Sequence, residues 1–203
     1  MASETEIANM ALSHLGESKL IASLTEGTAE ARACNSFYET ARDKVLEDFN
    51  WPFARTFVTL GLVEEDPTGI DDEWSFSYRY PSDCLKAIRV VSGIKPEDKN
   101  TEIKFIVGQD SSGLLIYTDE EDARLEYTKR FTDTQFFPTT FRLALSYYLA
   151  QLIAARITAG DPFGLGKKAE NEYIVQIQKA QANAFNEQRK PNDPDSEFIT
   201  ARL

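Results

Sequence analysis

The spacing of the apolar residues changes twice along this sequence, and that change limits the possible folds more than any other feature. Up to residue 52, apolar residues recur at helical spacing, as on one face of a helix. Residues 74–80 instead alternate aromatic with polar side chains, which is the period of a half-buried strand. The helical period returns at Pro138, a residue suited to a first helical turn. The pattern predicts helices on both sides of a β segment.

The ends of the first two helices are also marked. Ser3 and Glu6 have the spacing of a capping box, and Gly16 provides a left-handed stop for the first helix. A longer helix is predicted over residues 28–49. Asn50-Trp51-Pro52 ends it, because the residue before a proline is driven away from helical angles. After Pro138, one helix is predicted to end at Gly160 and a last one to run from near residue 167 to about 188.

These elements together predict the fold class and its division. The chain is expected to be α+β: mainly a four-helix bundle interrupted by a small antiparallel β module, with an extended C-terminal tail. The helical bundle is placed at 1–52 and 136–190, the β module at 53–135, and the tail at 191–203. Within the β module, strands are predicted at 74–80, 86–92, 102–108, 114–118 and 125–131.

Composition narrows the function classes. The chain has 33 acidic and 22 basic residues, a net charge of −11, which disfavours a protein that grips nucleic acid or anionic lipid. His14 is the only histidine, so no site with two histidine ligands can form within one chain. No nucleophile motif accompanies His14, and a structural role is favoured over a catalytic one. No enzyme activity, metal or cofactor is predicted.

Two acidic clusters are the strongest local charge feature: Glu64-Glu65-Asp66 with Asp71-Asp72-Glu73, and Asp119-Glu120-Glu121-Asp122. Their spacing does not match a calcium loop, which needs alternating acidic ligands, a central glycine and a closing glutamate. Solvated hairpin tips are the favoured interpretation, with weak divalent-ion binding as the alternative. The aromatic strand at 74–80 is interpreted as sheet core, with stacking of single-stranded bases as its alternative.

The sequence resembles, over nearly its whole length, the head-to-tail adaptor (connector) proteins of tailed bacteriophages, the tail tubular protein A-like family. No single motif carries this resemblance; the order and spacing of several do. They are the segment 6–16 (EIANMALSHLG), Glu30-Ala31 with Cys34, Tyr38, Ala41-Arg42-Asp43 and Leu46, Trp51-Pro52-Phe53-Ala54, the segment 78–85 (YRYPSDCL), Phe137-Pro138 with Phe141, Ala144-Leu145 and Leu149-Ala150, and Ala201-Arg202 in the tail.

The resemblance implies a structural virion protein of the neck or tail, assembled in the host cytoplasm. Such proteins form a ring, commonly of twelve copies, beneath the portal vertex, where they join capsid to tail and extend the DNA channel. The implied partners are the portal protein, tail or neck proteins and further copies of the chain. Double-stranded DNA is expected to pass without tight binding, and no membrane partner is expected. No catalytic residue carries over.

Two site hypotheses follow from this resemblance. The C-terminal tail is expected to dock on the portal or a neighbouring subunit, through Phe198, Ile199, Arg202 and Leu203 with Arg189 and Lys190 nearby. The acidic loops are expected to face the channel, where they would repel phosphates and let the duplex slide, or else to face outward to tail proteins. Two other functions remain open: a virion-associated peptidoglycan glycosidase, which needs two suitably spaced carboxylates, and a tail tube component further from the portal.

Overall fold

The computed structural model describes residues 3–67, 73–92 and 103–187, the last four of these by their helical backbone only. Four α-helices and seven β-strands lie in these ranges. The helices are α1 (Glu4–His14), α2 (Ala29–Asp48), α3 (Thr139–Ile157) and α4 (Leu165–Glu187). The strands are β1 (Arg55–Thr59), β2 (Leu62–Glu65), β3 (Phe76–Arg79), β4 (Cys84–Val91), β5 (Phe105–Asp110), β6 (Gly113–Thr118) and β7 (Arg124–Lys129).

The helix ends follow the local chemistry of the sequence. Ser3 and Glu6 form both bonds of the capping box, with the Ser3 Oγ accepting from the Glu6 N–H and the Glu6 carboxylate accepting from the Ser3 N–H, each at 3.1 Å. Thr28 Oγ1 accepts from the Ala31 N–H at 3.2 Å and caps α2. Gly16, with φ of 76°, follows the end of α1. The predicted helix ends are therefore confirmed to within a few residues.

The four helices do not form a bundle around a common axis. α3 packs against α1, α2 and α4, whereas α1 and α2 hardly touch each other. α3 can take this central position because its buried residues cover much of its circumference; the largest are Phe141, Leu145, Leu149 and Ile153. The predicted four-helix bundle is therefore wrong: three helices surround one apolar helix.

The strands form two antiparallel sheets that face each other across a shared core. The first sheet has the order β1-β7-β4 and the second the order β2-β3-β6-β5. Only Leu60 and Gly61 separate β1 from β2, so one bent segment passes from sheet to sheet. An isolated antiparallel bridge from Val90 to Ile103 links β4 to the residues before β5. Leu125, Ile116 and their neighbours fill the space between the sheets.

The expectation of a mainly helical protein with a small β insertion is also wrong. The β part has two sheets and its own hydrophobic core, so the chain is α+β without a dominant helical bundle. The sequence pattern did not predict β1 and β2. Burial alternates along β1, but its residues, Arg-Thr-Phe-Val-Thr, do not alternate apolar with polar, and β2 is exposed along its whole length.

An aromatic cluster joins the helical core to the sheets. Phe53 lies 5.7 Å from Phe131 and 5.7 Å from Phe137 between ring centroids, and Phe137 lies 4.6 Å from Phe141 of α3. Phe53 belongs to the segment where the chain leaves the helices, and Phe131 and Phe137 to the segment where it returns. Both crossings therefore meet in a single apolar contact.

Candidate interaction surfaces

The structure brings the two acidic clusters together. Ser75 donates from its N–H and its Oγ to Asp119 Oδ1 at 3.0 and 3.2 Å, and the Asp66 N–H donates to the Ser75 carbonyl at 2.8 Å. Ser75 thereby ties the end of β2 to the loop after β6. Six of the acidic side chains are exposed and one is half-buried. We call this surface the acidic ridge; it comprises Glu64, Glu65, Asp66, Asp119, Glu120, Glu121 and Asp122.

The interpretation of the ridge acids as hairpin tips is correct only for Asp66, which follows β2 in the β2–β3 hairpin; β6 and β7 belong to different sheets, so the loop between them is not a hairpin, and Asp71 and Asp72 lie outside the described residues. Glu64 and Glu65 lie within β2, whereas Asp119–Asp122 lie in the loop between β6 and β7. Asp66 and Asp122 have φ of 47° and 54°, a left-handed conformation that aspartate tolerates better than most residues. In the described ranges, no group of three or more His, Cys, Asp or Glu residues could hold a metal ion. The orientation of the ridge toward a channel stays a prediction.

A second charged surface has the opposite sign and was not predicted. Leu125 and Tyr127 of β7 point into the core, so Arg124, Glu126 and Thr128 lie on the outer side of the first sheet. Their cross-strand partners lie on the same side. We call this surface the basic face; it comprises Arg55 and Phe57 of β1, Lys86 and Arg89 of β4, and Arg124 of β7. All five side chains are exposed.

Glu126 organises the basic face. Its carboxylate is buried, with 2% of the side chain exposed, yet it touches two arginines. Arg55 Nε lies 2.9 Å from Glu126 Oε1, and Arg89 Nε donates to Oε2. The two guanidinium groups remain 43% and 53% exposed. One buried carboxylate of β7 therefore fixes the positions of two cations on the two strands that flank it, while leaving them in contact with solvent.

The sequence contains a signal for the basic face, but that signal can be recognised only when the pairing of β1 and β4 with β7 is known. Alternation in β7 puts Arg124, Glu126 and Thr128 on one side of a strand. Nothing in the sequence shows that β1 and β4 flank β7, because both pairings join residues far apart in the chain. The cations of three separate strands look scattered until the sheet is formed.

His14 connects two helices. Its Nε2 lies 3.0 Å from Ser146 Oγ of α3, and its ring stacks on Tyr147 at 3.9 Å between centroids. Burial lowers the pKa of His14, and the nearby Glu172 carboxylate opposes that shift. Ser146 is fully buried and also donates to the Leu143 carbonyl at 2.9 Å, so no substrate can approach its hydroxyl. The geometry matches the structural role predicted for His14.

A cleft of about 570 Å³ lies where β1, the end of β3 and the β5–β6 turn meet. Cys84 lines it, and burial raises the pKa of this thiol to about 11, so it is a poor nucleophile at neutral pH. At its edge Arg79 binds Asp110 through two bonds of 3.0 and 2.9 Å, and this contact lowers the pKa of Asp110 to about 2. These groups are satisfied by each other and do not form a reactive set.

The aromatic strand belongs to the core. Tyr78 is 2% exposed, and Phe76 and Tyr80 pack against the same cluster. Tyr78 also donates its hydroxyl to the Glu120 carbonyl at 2.9 Å. The interpretation as sheet core is confirmed for Phe76, Tyr78 and Tyr80, although the strand covers only Phe76–Arg79, and these three rings do not offer an open platform for bases.

The predicted docking residues of the tail lie outside the described residues. They are Arg189, Lys190, Phe198, Ile199, Arg202 and Leu203, and their role stays a prediction. None of the helices in the described part of the chain is long and apolar enough to cross a membrane. No protein-family model matches this sequence, and no curated protein matches it.

Proposed function

We propose that this chain is a structural adaptor of a tailed-phage virion. It forms a ring beneath the portal, joins the capsid to the tail and extends the channel through which DNA leaves. Its partners are the portal protein, neck or tail proteins and other copies of itself. The duplex passes through the ring without tight binding, in keeping with the net charge of −11.

The position of the residues that carry the resemblance supports this proposal. Trp51 is 2% exposed, and its Nε1 donates to the Val45 carbonyl at 2.8 Å. Its ring lies 5.0 Å from Phe141, and Phe53, Phe137 and Phe141 contact one another beside it. Two of the segments on which the resemblance is based, Trp51-Pro52-Phe53-Ala54 and Phe137-Pro138 with Phe141, thus form the junction between the helices and the sheets. They are the positions on which a common architecture depends.

The charged surfaces support an assembly role from a second direction. The acidic ridge and the basic face have opposite charge, and part of each is held in place: Ser75 binds Asp119, and Glu126 binds Arg55 and Arg89. Surfaces of defined charge and shape are what a protein needs to recognise partners in one orientation. The buried aromatic junction is the main support for an adaptor role, and the acidic ridge and basic face are the surfaces proposed to contact partners.

The proposal is tested by measuring the mass of the full chain by light scattering, alone and mixed with its cognate portal ring. We expect the chain to join the portal at a fixed multiple. A variant with Phe198→Ser and Leu203→Ser should keep its circular dichroism spectrum and lose portal binding. A matched control, Leu20→Ser with Phe163→Ser, alters two exposed apolar residues elsewhere and should bind normally.

Two results would overturn the proposal. A chain that stays separate from the portal ring is not an adaptor of this kind, and co-sedimentation with a tail tube instead would place it further down the tail. Clearing of peptidoglycan in a zymogram would identify an enzyme. If the wild type binds and the tail variant binds equally well, the adaptor role stands and the tail docking hypothesis is wrong.

A further inference from the structure

We propose that the basic face of one copy of this chain binds the acidic ridge of a second copy. The inference deepens the proposed function, since it names the contact between neighbouring subunits. It rests on that function only for the closed ring, because two copies would make the same contact in a protein with another role.

The first support is the prepared state of the arginines. Arg55 and Arg89 each contact Glu126 through Nε, which is one of five N–H donors in a guanidinium group. The remaining donors form a planar fork that matches a carboxylate and makes paired bonds with it. Because Glu126 already holds both side chains, docking a carboxylate on them loses less conformational entropy than ordering two free arginines.

The second support is an exposed aromatic ring on the face. Phe57 is 44% exposed, pairs directly with Glu126 across the β1–β7 ladder and lies two residues from Arg55 on the same strand. An exposed aromatic ring with arginines around it is the composition of a protein–protein contact. Nucleic acid would need a wider basic surface, and a chain of net charge −11 repels phosphates at long range. The face therefore fits a polypeptide.

The third support identifies the occupant. The acidic ridge concentrates seven carboxylates on the end of β2 and the β6–β7 loop, and it also contains an apolar neighbour, Val63, which is 43% exposed. Its charge is the complement of the basic face, so each copy carries both halves of the contact. The two halves are different surfaces, and a contact between unlike surfaces repeats from copy to copy until a ring closes or a filament grows.

The test uses three double variants of the full chain. The face variant combines Arg124→Glu with Phe57→Ser, which leaves the Glu126 ion pairs intact. The ridge variant combines Glu64→Gln with Glu121→Gln, so that the altered ridge carries no cation to attract the altered face. The control combines Arg32→Glu with Leu20→Ser, which matches the face variant in kind at exposed positions on the helical side. Circular dichroism and thermal unfolding confirm that each variant is folded before sedimentation velocity is measured over a wide concentration range.

The wild type and the control are expected to self-associate, and high salt should weaken both. The face and ridge variants should each associate at least tenfold more weakly, since one close charge pair across an interface accounts for about a tenfold change in affinity. An equal mixture of the two variants should form dimers and nothing larger. The face variant has the intact ridge and the ridge variant has the intact face, so a complex contains one such contact and cannot extend further.

Three results would overturn the inference. They are a wild type that stays monomeric throughout, variants that associate like the wild type, and a mixture of the two variants that stays monomeric. Binding of duplex DNA at physiological salt, lost in the face variant alone, would assign the face to nucleic acid instead. If the chain binds the portal ring but does not self-associate, the adaptor proposal stands and this subunit contact is wrong. If the chain self-associates through these surfaces but does not bind the portal ring, the contact stands and the adaptor proposal is wrong.

Discussion

Removing the two arginines that contact Glu126 should destabilise the protein more than removing the charge of Glu126 itself. Glu126→Gln removes two charge-assisted hydrogen bonds, each worth about 1.5–3 kcal/mol in a protein. The arginines are 43% and 53% exposed, so water can replace roughly half of that interaction, and the expected loss of unfolding free energy is about 1.5–3 kcal/mol. Arg55→Gln with Arg89→Gln leaves a carboxylate that is 2% exposed without a cation. Breaking a buried pair in this way costs about 3–5 kcal/mol.

Urea unfolding followed by circular dichroism measures the three free energies that decide the matter. The double arginine variant should be less stable than Glu126→Gln. Adding Glu126→Gln to it should restore part of the stability, because the triple variant buries no unpaired charge. As a control, Arg79→Gln breaks an exposed pair with Asp110 and should cost far less. If the double arginine variant is as stable as Glu126→Gln, or if the third change brings no recovery, the reasoning from burial is refuted.

Three further predictions concern single positions. Gly108→Ala should destabilise the protein by about 1–3 kcal/mol in urea unfolding, because an added Cβ would lie 2.6 Å from Tyr117 Cε2, a buried ring; unchanged stability would mean that the ring can move. Thr128→Val should raise the midpoint of thermal unfolding, since the buried Oγ1 has no hydrogen-bond partner in the described ranges; a lower midpoint would show a hidden partner. Burial lowers the pKa of His14 below its unfolded value near 6.5, so the unfolded chain binds the proton more readily; stability should fall as the pH drops below about 6.5, and His14→Gln should lose that part of the pH dependence.

The sequence predicts local structure well and assembly of the strands poorly. The ends of the first helix were predictable because Ser3 and Gly16 act within a few residues of their own positions. The aromatic strand was predictable because alternation is also local. β1 and β2 were not, because their place in the sheets depends on pairing with distant residues and not on their own apolar content.

The same distinction separates the two charged surfaces. The acidic clusters are runs in the sequence, and their charge is visible without a fold. Their union into one ridge depends on the bonds from Ser75, which no local pattern shows. The basic face exists only after three strands are in register, and a net charge of −11 conceals it altogether. Net charge thus describes the long-range field of a chain and says little about what any one face can bind.

The aromatic cluster has a consequence for how this architecture could vary and be rebuilt. Phe53 and Phe137 lie 5.7 Å apart, so the chain leaves the helices and comes back at nearly the same spot. The whole β region is therefore an insertion whose two ends meet at one place beside α3. Changing the length of a segment whose ends are already held together adds little closure entropy, about 0.6 kcal/mol for each doubling. We expect a longer, shorter or unrelated insertion to be accepted at this place, provided that Phe53 and Phe137 still pack together.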